Sequence, residues 1–141
     1  MIKDISSRLD DLEVKELLAY SVFPDPEKLD AVVDAYRKPD GLQLFGYEED
    51  GVLIGIIGVD QSDTEMAIKH AAVHPEYRGK DYGRGMIMEL MLQKNPAVVS
   101  AETDEDAVGF YRSIGFQVYS LGEIYPGVER YRCVYEVEEI D

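Results

Sequence analysis

The spacing of apolar residues predicts two helices near the start of the chain. Apolar side chains recur on one face of each helix, at Val14, Leu17 and Leu18 in the first and at Leu29, Val32, Val33 and Tyr36 in the second. The first helix covers roughly Asp10 to Tyr20, and the second opens at Pro26 and ends before Pro39. A short strand near Ile2 to Ile5 is predicted before them.

Three strands follow, because the apolar pattern then changes its period. Apolar and polar residues alternate from Leu42 to Tyr47, and Asp50-Gly51 supplies a hairpin turn. The segment Val52 to Val59 is continuously apolar, as expected of a strand that is covered on both faces. A further strand runs from about Glu65 to Val73, where His74-Pro75 closes it.

The second half of the chain alternates helices with strands. A helix from Gly83 carries Met86, Ile87, Leu90 and Lys94 and ends at Asn95-Pro96, and a short strand covers Ala97 to Ala101. A second helix has the predicted buried stripe Ala107, Phe110, Tyr111 and Ile114, with Gly115 as a left-handed C-cap. Strands near Phe116 to Ser120 and Tyr131 to Val137 finish the chain. The order β-α-α-β-β-β-α-β-α-β-β predicts an α/β fold, a mixed sheet with helices on its faces, in one domain over residues 1–141.

Charge and cysteine content narrow the partners and the compartment. The net charge of −15 repels nucleic acid and anionic membranes, so neither is an expected partner. The acidity either keeps the protein soluble or attracts a cationic substrate such as an amine. The one cysteine, Cys133, excludes an internal disulfide and suits a reducing compartment, and the first residues lack the apolar core of a signal peptide. A cytoplasmic protein is therefore expected.

The segment from Val73 to Gly85 has the features of a phosphate-binding loop. It follows a predicted strand and opens a predicted helix, whose first N–H groups lack backbone acceptors and carry partial positive charge. Its glycines let the backbone approach an anion closely. Arg78, Lys80 and Arg84 add full positive charges.

Two stretches of this sequence resemble the signatures of one enzyme family. Arg78, Gly83 and Gly85, after the strand that ends in Val73-His74-Pro75, resemble the Arg/Gln-x-x-Gly-x-Gly/Ala signature of the GCN5-related N-acetyltransferase (GNAT) family. Asp104 to Phe116 resembles the family's Asn-x-x-Ala-x-x-Phe-Tyr-x-x-x-Gly-Phe pattern. The resemblance covers nearly the whole chain and implies a mostly antiparallel mixed sheet.

The resemblance also implies the reaction and the co-substrate. It implies direct transfer of an acetyl group from acetyl-coenzyme A (acetyl-CoA) to an amine, which is a small molecule or a peptide. The backbone of Ala72 and Val73 is expected to pair with the pantetheine arm of the coenzyme. The full set of residues expected to bind the coenzyme is Ala72, Val73, Arg78, Gly79, Lys80, Asp81, Gly83, Arg84, Gly85 and Asp104. Dimers are common in proteins that resemble this one, so a homodimer is a further expectation.

The catalytic residues follow in part from the same resemblance. Tyr111 matches a tyrosine that often protonates the leaving thiolate, and a phenol with a pKa near 10 keeps its proton at neutral pH. The base that deprotonates the amine stays open between Glu65, His70 and solvent, because strand alternation places Glu65 and His70 on opposite faces. His70 and His74 have no third ligand at suitable spacing, so no metal is expected.

Two aspartates depart from the family pattern. Asp81 replaces the first loop glycine, and it both tolerates a left-handed backbone and favours a helix start, while its carboxylate opposes phosphate binding. Asp104 replaces the asparagine of the second signature, and a capping box of Thr103 with Asp106 is expected beside it. These departures leave a second hypothesis open, a catalytically weak or inactive acyl-CoA-binding module on the same fold.

Overall fold

A computed structural model describes residues 2–21, 26–38 and 41–137, and within these residues it confirms the predicted order of elements. The strands are β1 (Ile2–Asp4), β2 (Gln43–Glu49), β3 (Val52–Gln61), β4 (Glu65–Val73), β5 (Val98–Asp104), β6 (Gln117–Tyr125) and β7 (Val128–Glu136). The α-helices are α1 (Leu12–Ser21), α2 (Leu29–Arg37), α3 (Tyr82–Lys94) and α4 (Glu105–Ser113). Pro39, the predicted end marker of the second helix, lies outside the described residues.

The strands form a mixed, mostly antiparallel sheet in the order β1-β2-β3-β4-β5-β7-β6. The chain divides into two compact units, Met1–Asp60 with Lys69–Asn95, and Gln61–Ile68 with Pro96–Asp141. Strand β4 contributes its first four residues to the second unit and the rest to the first unit. In the described part of the chain, no helix is both long enough and apolar enough to cross a membrane.

The first unit is built around the apolar strand β3. Leu53 to Val59 are all buried, which agrees with the predicted strand covered on both faces. The buried faces of α1 and α2 also match their predicted stripes and join one hydrophobic cluster, whose helical members include Val14, Leu17, Leu18, Val33 and Tyr36. The predicted hairpin turn is present, with positive φ at Asp50 (52°) and Gly51 (79°), and it joins β2 to β3.

The second unit pairs Glu65–Ile68 of β4 in parallel with β5 and continues with antiparallel β7 and β6. The last two strands are longer than predicted: β6 reaches Tyr125 and β7 begins at Val128. The stripe predicted for α4 is wrong in part. Phe110 is 37% exposed, whereas Val108 and Tyr111 are buried. Val108 and Tyr111 are three residues apart, so they share one face of this nine-residue helix.

A glycine in β3 makes room for a tyrosine of α2. The Tyr36 side chain is 3% exposed, and a Cβ built on Gly58 would lie 1.6 Å from the Tyr36 hydroxyl and 2.5 Å from its Cζ. The hydroxyl therefore occupies the space that any other residue in this position of β3 would fill.

We expect Gly58→Ala to destabilise the protein by about 2–4 kcal/mol, because the new methyl group forces the Tyr36 ring out of a close-packed core. Urea unfolding measures the change. Gly109→Ala is the matched control, since a Cβ there meets nothing within 4 Å and Gly109 lies inside α4. That control should be neutral or stabilise the protein by up to about 1 kcal/mol. Equal stabilities of the two variants would contradict the packing described above.

Candidate functional site

The loop between β4 and α3, residues 74–81, turns the chain sharply from a strand into a helix. His74 opens it, and its Nδ1 accepts a hydrogen bond of 3.2 Å from the Glu76 amide. One turn of 3₁₀-helix follows (Pro75–Tyr77). Gly79 (φ 78°) and Asp81 (φ 64°) then adopt left-handed conformations, and α3 starts at the next residue. These two left-handed residues form the last part of the loop, immediately before the helix begins.

The first amide groups of α3 have no intrahelical acceptor. The Gly85 amide donates to the Asp81 carbonyl (3.0 Å), so the amides of Tyr82, Gly83 and Arg84 precede the first bond of the helix. A Cβ built on Gly79 or Gly85 would meet nothing within 4 Å. The start of α3 therefore offers open N–H groups and free space, an arrangement that suits an anion.

Three predicted cations surround this helix start. Arg78, Lys80 and Arg84 are all exposed. Arg78 Nε donates to the Val73 carbonyl (2.9 Å), and its guanidinium lies 5.1 Å from the centre of the Tyr20 ring. The remaining N–H groups of the guanidinium stay available for a phosphate oxygen.

Two structural roles are expected of Asp81, a left-handed backbone and a capping side chain at the helix start, and only the first is observed. Its left-handed backbone is the conformation that glycine adopts most readily, and aspartate tolerates it better than most residues do. Asp81 is also the N-cap residue of α3, but its side chain makes no capping hydrogen bond. Its exposed carboxylate therefore neither satisfies the helix amides nor is neutralised by them.

Some backbone groups at the end of β4 already form hydrogen bonds within the protein. The Val73 carbonyl accepts from Arg78, and the His74 amide donates to the Ile54 carbonyl (2.7 Å). Ala72 is 9% exposed, and its carbonyl oxygen lies 3.0 Å from the position of a Cβ on Gly55. A ligand arm that uses the Val73 carbonyl therefore has to share it with Arg78 or displace that side chain.

In the second unit, Tyr111 is largely buried but keeps its hydroxyl accessible. The side chain is 7% exposed, and its ring contacts Phe110 and Phe116 with centroid distances of 5.2 and 5.3 Å. Burial, with a smaller contribution from the Cys133 thiol, raises the pKa of Tyr111 to about 12. Among the described residues, every fully buried side-chain nitrogen or oxygen has a hydrogen-bond partner, and the Tyr111 hydroxyl has none, so it must reach solvent.

Asp104, and not Thr103, caps the start of α4, so the predicted capping box is wrong. Asp104 Oδ1 accepts hydrogen bonds from the amides of Asp106 (3.0 Å) and Ala107 (3.3 Å). Thr103 instead belongs to β5 and is 8% exposed. Strand β5 runs up to Asp104, which leaves that residue as the first one able to turn its side chain back onto the helix. The Asp104 oxygen that caps the helix is therefore not free for a coenzyme.

The two candidate bases belong to different hydrogen-bonded groups. Glu65, in the second unit, accepts from the hydroxyl of buried Ser100 (3.2 Å) and forms an ion pair with Arg132 (3.6 Å). His70, in the first unit, contacts the Tyr36 hydroxyl through Nδ1 (2.6 Å). Burial, and to a smaller extent the Lys69 ammonium, lowers the pKa of His70.

Two contacts between polar side chains were not predicted from the sequence. The Tyr36 hydroxyl meets His70, and Gly58 inside an apolar strand is the one feature that hints at it. At the start of α3, the Tyr82 hydroxyl donates to Glu49 (2.9 Å), a bond that raises the pKa of Tyr82. Within the described residues, no group of three or more histidine, cysteine or acidic side chains is arranged to hold a metal ion.

Comparison with known proteins supplies a family and several related folds. Residues 40–118 match the family model described as "Acetyltransferase (GNAT) domain". The N-alpha-acetyltransferase RimI of Mycobacterium tuberculosis is 33% identical over 87 residues, which are 57% of this chain and 55% of that protein. The matched regions span 23% and 56% of two other curated relatives, from Bacillus subtilis and Bacillus methanolicus.

Solved structures share the fold at low sequence identity. The ribosomal-protein-S18-alanine N-acetyltransferase from Escherichia coli is 14% identical with a TM-score of 0.79, over 100% of this chain and 96% of that chain. An aminoglycoside 6'-N-acetyltransferase complexed with coenzyme A is also 14% identical, with a TM-score of 0.80 over 100% and 99% of the two chains. At this identity, the likeness concerns the fold.

Proposed function

The chain belongs to the GNAT acetyltransferase family, and we propose that it transfers an acetyl group from acetyl-CoA directly to an amine. The observation that carries the proposal is the start of α3. Open amides, two left-handed residues and three exposed cations meet there in one short segment. This is the arrangement that a pyrophosphate requires, and it falls on the residues that match the coenzyme signature.

The coenzyme would bind along the β4–α3 connection of the first unit. The amides of Tyr82, Gly83 and Arg84 would donate to the pyrophosphate, while Arg78 and Lys80 supply compensating charge. Gly79 and Gly85 leave the space free. The pantetheine arm would pair with the backbone of Ala72 and Val73, and Arg78 would release the Val73 carbonyl to allow this.

In the proposed reaction, the neutral amine attacks the thioester carbonyl, a C–N bond forms and the C–S bond breaks. The amine nitrogen gives up one proton, and the coenzyme thiolate takes one up. Glu65 is held by Ser100 and Arg132, and Nδ1 of His70 contacts the Tyr36 hydroxyl, so we assign the first proton to solvent. The net result is an amide and free coenzyme A.

Tyr111 would act on the leaving sulfur. With a pKa of about 12, the phenol stays protonated at neutral pH and can donate a hydrogen bond to the developing thiolate. A thiol has a pKa near 8.5, so complete proton transfer from Tyr111 is uphill by roughly 3–4 pKa units. The proposed role is therefore mainly stabilisation of negative charge on sulfur, with the final proton coming from solvent.

The proposal also covers the class of acceptor amine and the cellular location of the protein. A net charge of −15 favours a cationic small molecule or peptide, because a negative field draws cations in. The names of the relatives include acceptors of both classes, an aminoglycoside and a ribosomal-protein alanine. A cytoplasmic location is supported by Cys133, which is buried and free.

A second candidate function is an acyl-CoA-binding module with little or no turnover. The exposed Asp81 carboxylate at the pyrophosphate site and the engaged Glu65 favour it. Both candidates need acetyl-CoA to bind, so turnover separates them.

One prediction of the proposed function concerns coenzyme binding. Acetyl-CoA at about 100 times its dissociation constant should stabilise the protein by roughly 2.7 kcal/mol in thermal unfolding, and ATP should not. Asp81→Asn keeps the tolerance for a left-handed backbone and removes the charge, so it should bind acetyl-CoA about three- to tenfold more tightly. Asp63→Asn, at another exposed aspartate, is the control. If millimolar acetyl-CoA leaves the unfolding temperature unchanged, both candidate functions are contradicted.

A further prediction of the proposed function concerns turnover. Release of coenzyme A should depend on added amine, and Tyr111→Phe should lower kcat by about 10- to 100-fold with little change in the KM for acetyl-CoA. Tyr125→Phe is the matched control, because Tyr125 is 67% exposed on β6. Binding without amine-dependent release, across cationic and neutral amines, would favour the module.

A homodimer is the last part of the proposal. Strand β6 lies at the edge of the sheet and is exposed along nearly its whole length, with Tyr119, Leu121, Ile124 and Tyr125 among its exposed residues. An open edge strand with apolar side chains can pair with a second chain. Light scattering at two protein concentrations tests this, and the mass of a monomer at both would argue against it.

A further inference from the structure

The contact between Tyr36, which is buried, and His70, which is half-buried, is a polar pair inside the first unit. Tyr36 comes from α2 and His70 from β4, and the hydroxyl oxygen lies 2.6 Å from Nδ1 of the imidazole. The two rings meet edge to face with their centroids 5.5 Å apart. The hydroxyl fills the space above Gly58, so its position is set by packing on the strand.

The environment of the hydroxyl decides which group donates. Among the described residues, His70 Nδ1 is its one hydrogen-bond partner, and the Tyr36 side chain is 3% exposed. If Nδ1 carried a proton, the phenolic hydrogen would be buried without an acceptor, which is costly. The phenol therefore donates and Nδ1 accepts. Burial also raises the pKa of Tyr36, which keeps the donor protonated.

This donor assignment fixes the proton of His70 on its other nitrogen. A neutral imidazole has one N–H, so an accepting Nδ1 leaves the proton on Nε2. Tyr36 from α2 is a neutral neighbour of the ring. The charged neighbour is the ammonium of Lys69 on the same strand, whose positive charge disfavours a second proton on the imidazole. The imidazole is therefore held neutral.

The Nε2–H group is open to solvent. It has no hydrogen-bond partner among the described residues, and no fully buried side-chain nitrogen there lacks one. His70 also lies two residues before Ala72 on the same face of β4, about 7 Å along the strand. This places an unused N–H donor close to the strand end to which the proposed function assigns the pantetheine arm.

We propose that His70 is a neutral hydrogen-bond donor for the acceptor substrate, and that Tyr36 is the positioning residue that fixes its tautomer. This proposal rests on the proposed function, because it takes the bound substrate to be an amine. The substrate would also carry an oxygen, such as a carbonyl or hydroxyl oxygen, that accepts the hydrogen bond from His70. His70 is accordingly not the general base. Nε2 already carries a proton. Nδ1 can accept a second proton only if its hydrogen bond from the Tyr36 hydroxyl breaks.

Nitrogen-15 NMR of the two histidines tests the tautomer without any coenzyme or activity. At neutral pH, His70 should show a protonated Nε2 and an unprotonated Nδ1 as one tautomer, and His74→Gln identifies which signals belong to His74. In Tyr36→Phe the His70 signals should move towards a mixture of tautomers, and the pKa of the ring should rise. A protonated Nδ1, or a mixture of tautomers in the unmodified protein, would overturn the proposal even if the protein acetylates amines.

Kinetics test the role in binding. His70→Gln retains an N–H donor and has no basic group, so kcat/KM for an amino amide such as glycinamide should stay within about threefold. His70→Ala should raise the KM for glycinamide about tenfold and leave kcat and the KM for ethylamine, which lacks oxygen, nearly unchanged. A His70→Gln variant that folds, as judged by thermal unfolding, but loses activity together with the acid limb of the pH profile would identify His70 as the base. A wild-type protein that acetylates no amine would refute the proposed function, while the NMR result would still decide the tautomer.

Discussion

The first amide groups of a helix have no acceptors in the backbone of that helix, and the candidate site follows from this constraint. Here the left-handed residues Gly79 and Asp81 end the loop, and α3 starts at Tyr82. The side chain of Asp81 does not cap the helix, so the amides stay open. A protein that carries 29 acidic and 14 basic residues nevertheless places Arg78, Lys80 and Arg84 around this point, and none of these three forms an ion pair with a described residue.

The order of helices and strands was predictable because each element has its own apolar period and its own turn residues. The continuous run of β3, the Asp50-Gly51 hairpin and the glycine-rich entry to α3 are all local patterns. The coenzyme and reaction classes came from two motifs, and the family match agrees with them. Coenzyme-binding and catalytic roles of single residues remain predictions, although the backbone conformation expected for Asp81 is observed.

What could not be predicted depends on contacts between distant parts of the chain. The capping role of Asp104 depends on where β5 ends, and Phe110 is exposed because the sheet takes only one face of a short helix. Strands β6 and β7 are longer than their apolar pattern, since their pairing extends through polar residues and Gly122. The Tyr36–His70 bond joins residues 34 positions apart, and a single-sequence pattern at helical spacing shows Tyr36 as one more core residue.

The division of β4 between two units has a consequence for synthesis on the ribosome. All segments of the first unit have been made once residue 95 is added, whereas the second unit needs Pro96–Asp141 to pair with the segment that begins β4. At about 5–20 residues per second, the nascent chain needs several seconds more to supply them. Until β5 is complete at residue 104, the edge of Glu65–Ile68 has no partner strand there, so a chain that stalls before this point exposes a short apolar edge to misassembly or to a chaperone.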